Sequence, residues 1–154
     1  MNYVNQYLEE YSQSHQHPSN KLIHWICVPV IVFSLLGMLW VAPFPRIQHS
    51  YLILNWCSLL IIFSSVYYFC LSWHLAIGML VYNALMYSLL LWLNKTQDNV
   101  FILFVCLFVA AWIGQFIGHE IEKKRPSFFK DIQFLLIGPL WLMSAIYRKL
   151  NIRY

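Results

Sequence analysis

LIHWICVPVIVFSLLGMLWVA, residues 22–42, decides the fold. It carries no Asp, Glu, Lys or Arg over the roughly 20 residues that a helix needs to cross the hydrocarbon of a bilayer. A backbone in that environment must satisfy its own amides and carbonyls, and a helix does so within one segment. Three similar runs follow: about Tyr51 to Leu71, Trp73 to about Leu93, and about Val100 to Gly118. A fifth, Ile132 to Tyr147, is shorter and interrupted by Gly138-Pro139, and reads as a re-entrant or interfacial helix pair. Ahead of the first run, Tyr3, Val4, Tyr7, Leu8 and Tyr11 fall on one face of an amphipathic helix, expected to lie on the membrane surface. The totals agree. The chain is 60% hydrophobic and 10% charged, against about 45–50% and about 25% in soluble domains. The expected fold is all-α: a polytopic membrane helical bundle of about four transmembrane helices. An N-terminal amphipathic helix and a C-terminal re-entrant or interfacial segment complete one membrane-embedded domain over residues 1–154.

Charge sets the expected orientation. Lys21 precedes the first run, Lys123, Lys124, Arg125 and Lys130 follow the fourth, and Arg148, Lys149 and Arg153 lie near the C-terminus, whereas the opposite loops hold only Arg46 and Lys95. Both termini are therefore predicted cytoplasmic, in a bacterial inner membrane or the endoplasmic reticulum. The basic residues beside the spans suit contact with membrane lipids. No basic stripe or nucleic-acid-binding motif appears, so no nucleic acid partner is expected. The polar start, with Glu9 and Glu10, argues against a cleavable signal peptide. Cys27, Cys57, Cys70 and Cys106 all fall in apolar runs without a CxxC pair, and read as small buried hydrophobes with reduced thiols.

Working outward from the first run, its lead-in is HQHPSNK, residues 15–21. Pro18 and Ser19 are helix-start residues, with Ser19 expected to cap. Asn20 and His24 then lie one turn apart, and His15 and His17 can fold back over that face. The far end of the fourth run is GQFIGHEIE, residues 114–122, where Gln115, His119 and Glu122 share a helical face. Together these stretches offer His15, His24, His119 and Glu122, a mixed histidine and carboxylate set that suits non-haem Fe(II) with open positions for O2 and substrate. The bland alternative is that they are interfacial polar groups ending membrane spans, paired with neighbouring Lys and Arg. Gly114 and Gly118 form a GxxxG, read as close helix packing within the chain that would draw His119 toward the first helix. Lys123-Lys124-Arg125 is a positive-inside anchor, or a clamp for a fatty acid carboxylate with Arg125 as a bidentate fork. His74 is expected to cap a very tight turn, and His49 to be a loop histidine. No GxSxG, HExxH, P-loop or GxGxxG is present. Six histidines are fewer than a histidine-box di-iron site uses.

Three segments carry a resemblance: His15 to Pro29 (H-x4-N-x3-H, then Val-Pro), Gln115 to Phe129 around His119, Glu122 and Pro126, and Leu136-Ile-Gly138-Pro139-Leu-Trp141. In this order and spacing they resemble the membrane 2-hydroxy fatty acid dioxygenase family of fatty acid α-oxidation. The resemblance implies an Fe(2+) enzyme that uses O2 to cleave a 2-hydroxy fatty acid between C1 and C2, leaving an acid one carbon shorter. It implies His15, His24 and His119 as metal ligands and Asn20 and Glu122 as catalytic residues. The carboxylate would meet Lys123, Lys124 and Arg125, and the tail would lie among Trp25, Phe33, Trp73 and Phe116. The competing reading is a non-enzymatic lipid-binding or scaffold membrane protein whose histidines only dress the interface.

Overall fold

A computed structural model describes residues 3–44, 54–97, 99–123 and 131–154, with the side chains of 131–134 outside the description. Among the described residues the chain is helical throughout, with no strand: α1 (Tyr3–Gln13), α2 (Pro18–Val41), α3 (Trp56–Leu71), α4 (Trp73–Thr96), α5 (Val100–Glu122) and α6 (Asp131–Lys149). Three of these, α2, α4 and α5, are long and apolar enough to cross a membrane. Their outward faces are apolar too, as at Leu85, Ile102 and Ile113. An apolar surface of that extent is what a helix bundle presents to lipid. The chain is a helical membrane bundle.

The central pair is α2 against α5, and it is antiparallel. Gly118 faces Asn20 and Ile23, Gly114 faces Cys27, and Phe104 faces Gly37. In lipid there is no hydrophobic gain from bringing two apolar helices together, so close backbone approach over small residues supplies the packing. A Cβ on Gly114 would come within 2.7 Å of the Cys27 sulfur. The GxxxG pair therefore packs inside the chain, as expected.

Two expectations about helix boundaries are corrected. The second apolar run does not form a helix from Tyr51 to Leu71; α3 begins at Trp56 and has 16 residues. Asn55 stops it. The Asn55 side chain accepts from the Ser58 amide and the Ser58 hydroxyl accepts from the Asn55 amide, each at 2.9 Å, a reciprocal cap inside an apolar run. At 1.5 Å per residue α3 is about 24 Å long, short of the roughly 30 Å hydrocarbon. Residues 45–53, including Arg46 and His49, lie outside the described residues. The second correction is α6, one continuous helix through Gly138-Pro139. Pro139 lacks the amide that would bond the Leu135 carbonyl. The next carbonyl, of Leu136, accepts the Tyr68 hydroxyl at 3.0 Å, and residues 137–142 are buried against neighbouring helices. A proline-interrupted helix persists where packing and hydrogen bonds from neighbouring helices hold the adjoining backbone.

Buried Val4, Leu8 and Tyr11 of α1 pack with Ile137, Leu140 and Trp141 of α6 and Val28 of α2. The apolar stripe of α1 is thus met by α6 and α2. A single residue, Ser72, joins α3 to α4 and caps both. Cys27 is half-buried and Cys57 buried, but Cys70 and Cys106 are exposed on apolar helices, so burial holds for only part of the cysteine set.

Candidate metal centre

The antiparallel α2–α5 pair brings the first turns of α2 beside the last turn of α5. That alone puts His24 and His119 together, with ring centroids 5.3 Å apart. His15 arrives from the short link after α1. Its amide bonds the Ser12 carbonyl at 3.0 Å, and its ring then lies 4.1 Å from His24 and 5.4 Å from His119. One ring nitrogen from each of the three histidines falls within 4.8 Å of the others, a group that could hold a metal ion.

The nitrogens are arranged for ligation. His15 Nδ1–H donates to the Tyr11 carbonyl at 2.7 Å, which leaves the lone pair on Nε2. His24 Nδ1 lies 3.3 Å from the Tyr11 hydroxyl. His24 Nε2 and His119 Nδ1 are buried and have no hydrogen-bond partner among the described residues. His15 and His24 are only 3% and 2% exposed. Buried polar atoms are normally satisfied, and unsatisfied ones call for an explanation. Imidazoles whose second nitrogen is held by a carbonyl or hydroxyl are a common arrangement at metal sites. The residues therefore fit a bound divalent ion, with three protein donors and positions left for other ligands.

Glu122 sits three residues beyond His119 and is not a member of that group. One oxygen accepts the Gln16 amide at 2.9 Å. The other accepts the His17 amide at 2.8 Å and Asn20 Nδ2 at 3.1 Å. The carboxylate ties the lead-in of α2 to the end of α5. Asn20 is fully buried, and its Oδ1 lies against Gly118 where a Cβ would stand. Asn20 and Glu122 are thus brought together beside the imidazoles.

Other candidates stand apart. The cap of α2 is His17, whose Nδ1 accepts the Ser19 amide at 3.2 Å; Ser19 lies inside the first turn, which corrects its expected capping role. His74 is in the first turn of α4 with its ring against Trp73 at 3.8 Å, and the cap there is Ser72. Lys123 is exposed and ends α5 in a left-handed conformation, φ 55°. Lys124 and Arg125 lie outside the described residues. Trp25, Trp73 and Phe116 are exposed on the outer surface, and Phe33 packs on Phe104.

Sequence reasoning missed the aromatic wall. The Tyr11 ring stacks on His15 at 4.2 Å, and Trp141 lies 5.5 Å from Tyr11 and 6.0 Å from His15. Trp141 Nε1 donates to the Ser12 hydroxyl at 2.8 Å, fastening α6 to α1. Tyr11 is four residues before His15, a one-turn spacing that was there to be read. The link from Trp141 had no local signal.

A family model described as 2-hydroxy-palmitic acid dioxygenase Mpo1-like matches residues 1–150. The chain is 33% identical over 143 residues to the 2-hydroxy-palmitic acid dioxygenase MPO1 of Saccharomyces cerevisiae, covering 92% of this chain and 78% of that protein. No solved structure matches the chain. On a match running from its first residue almost to its last, this chain belongs to the Mpo1-like family.

Proposed function

We propose that the protein is an Fe(II)-dependent dioxygenase of fatty acid α-oxidation. It would take a 2-hydroxy fatty acid and O2, break the C1–C2 bond, and turn C2 into the carboxyl carbon of an acid one carbon shorter, with C1 leaving at the level of CO2 and O2 taking up the four electrons to give water. The family and the yeast relative support the dioxygenase class and a fatty acid substrate. The observation that carries the iron reading is the convergence of His15, His24 and His119, with His24 Nε2 and His119 Nδ1 buried and unpaired among the described residues. Histidines that merely dress an interface would turn their nitrogens to water, so the lipid-binding alternative leaves those atoms unexplained.

His15, His24 and His119 would hold the iron. When bound, it would supply a Lewis acid for the 2-hydroxyl and carboxylate and the electrons that activate O2. The chain's own residues orient and shield. Tyr11 holds the rings of His15 and His24, and Trp141 closes that side against water. Asn20 and Glu122 keep the lead-in over the end of α5, a positioning role beside the site. Lys123, followed in sequence by Lys124 and Arg125, supplies positive charge for the substrate carboxylate. This end of the bundle would face the cytoplasm, with both termini on that side.

The test is product analysis by mass spectrometry. Purified protein receives 2-hydroxypalmitate and Fe(II), with and without O2. Oxygen-dependent pentadecanoic acid is the expected result. No shortened acid from folded, iron-loaded protein overturns the substrate, and protein that binds no metal returns the lipid-binding reading.

A further inference from the structure

A second feature lies deeper in the bundle. Helices α2, α3, α4 and α6 leave a partly open crevice with a cavity volume of about 60 Å³. Its walls are almost wholly apolar, with Ile31 and Leu35 from α2, Leu60 from α3, Met79 from α4 and Pro139 from α6 among them. On α2, His24, Val28, Ile31 and Leu35 follow the i, i+4, i+7, i+11 spacing of one helical face. The crevice therefore lies on the same stripe as His24, roughly 10 to 17 Å farther along the helix. Val28 lies between them on that stripe, packed with Gly138 of α6. A Cβ on Gly138 would stand 3.1 Å from the Tyr11 hydroxyl and 3.6 Å from a Val28 methyl, so α6 packs closely on this part of the stripe.

The crevice is not uniformly apolar. Asn83 is 6% exposed and lines it in the middle of a candidate span. Its Nδ2, and the hydroxyl of the adjoining Tyr82, have no hydrogen-bond partner among the described residues. An amide donor left unmet in hydrocarbon is expensive, and a polar residue held there points to something that meets it.

We propose that this crevice holds the acyl chain of the substrate, and that Asn83 and Tyr82 favour a chain carrying a hydroxyl or carbonyl oxygen at that depth over a plain one. The identity of the chain's owner rests on the dioxygenase reading; the crevice as a lipid site does not. The head of the molecule lies at the imidazoles, the chain follows the His24–Leu35 stripe of α2, and the oxygen on its tail accepts from the Asn83 amide. Such a bond is worth about 1 kcal/mol, or roughly a fivefold preference in affinity.

The test uses metal-free full-length protein in lipid nanodiscs, so it stands apart from iron and turnover. A 2-hydroxy fatty acid with a diazirine in its tail is photo-crosslinked and the labelled peptides are mapped. Label within residues 60–64, 79–83 and 135–139, lost in Leu35→Trp and retained in His24→Ala, is expected. Label confined to outward residues such as Val66 and Ile77 overturns the proposal. Competition then compares plain and mid-chain hydroxylated 2-hydroxy acids. The hydroxylated chain should compete about fivefold better, and Asn83→Leu should erase the difference while still taking the plain chain. Equal competition in the unmodified protein overturns the role of Asn83. Crevice labelling without any shortened product would leave the crevice in place and remove the dioxygenase reading.

Discussion

Glu122 lies one helical turn beyond His119, and its oxygens meet three N–H groups of the α2 lead-in. A ligand and a positioning residue differ in what their loss does to iron. His24→Ala removes a donor and should abolish stoichiometric iron binding, measured as iron per protein after desalting. Glu122→Gln keeps the size but loses the charged acceptor, so iron should still bind with affinity lowered roughly 10- to 100-fold, the usual effect of a group that orients ligands. A chelator titration reads this. Equal loss of iron in both variants would make Glu122 a donor instead. The sequence placed Glu122 on the face of His119, because helical spacing is local. It could not say which amides would come to it, because Gln16 and His17 are more than a hundred residues away.

Among the elements, α2 and α5 carry the site, and the glycines of α5 set their approach. Gly118→Ala would push a methyl into Asn20 Oδ1 and Gly114→Ala one into the Cys27 sulfur. Overpacking of this kind costs about 1–3 kcal/mol. Both variants should melt at lower temperature in detergent, and Gly118→Ala alone should also weaken iron binding, because Asn20 is the bridge to Glu122. These packing roles were legible from GxxxG in an apolar run. Helix ends were less so. The cap at Asn55 sits inside an apolar stretch whose hydropathy alone suggests a longer helix. Gly138-Pro139 looks like a break until Tyr68 and the buried neighbours are known to hold the backbone across it. In both cases a side-chain hydrogen bond overrode the pattern.

At the scale of the whole molecule, the bundle wears its apolar residues outside, and a cysteine reports on this. Cys106 is exposed on α5, well inside a candidate span. In nanodiscs a membrane-impermeant maleimide should leave Cys106 unlabelled, and denaturing detergent should release it. Ready labelling in intact nanodiscs would mean that this face meets water. The membrane character of the chain was plain from composition, because every apolar run reports the same solvent. The docking of α1 was not: its tyrosine-rich stripe fits either a bilayer surface or a partner helix, and only α6 decides between them.

That docking would tie a metal held by the three histidines to the N-terminus. His24 and His119 are held on helices packed along most of their length, while His15 is borne by a link whose position depends on α1 lying against α6 and on Glu122 gripping two amides. If these three histidines hold the metal, releasing α1 would carry one of three donors away, and metal release and the detachment of the first fifteen residues would be a single equilibrium viewed from two ends. Iron should therefore slow hydrogen exchange across residues 3–15 far more than across the membrane helices, and a protease that trims the N-terminus should work faster once a chelator is added.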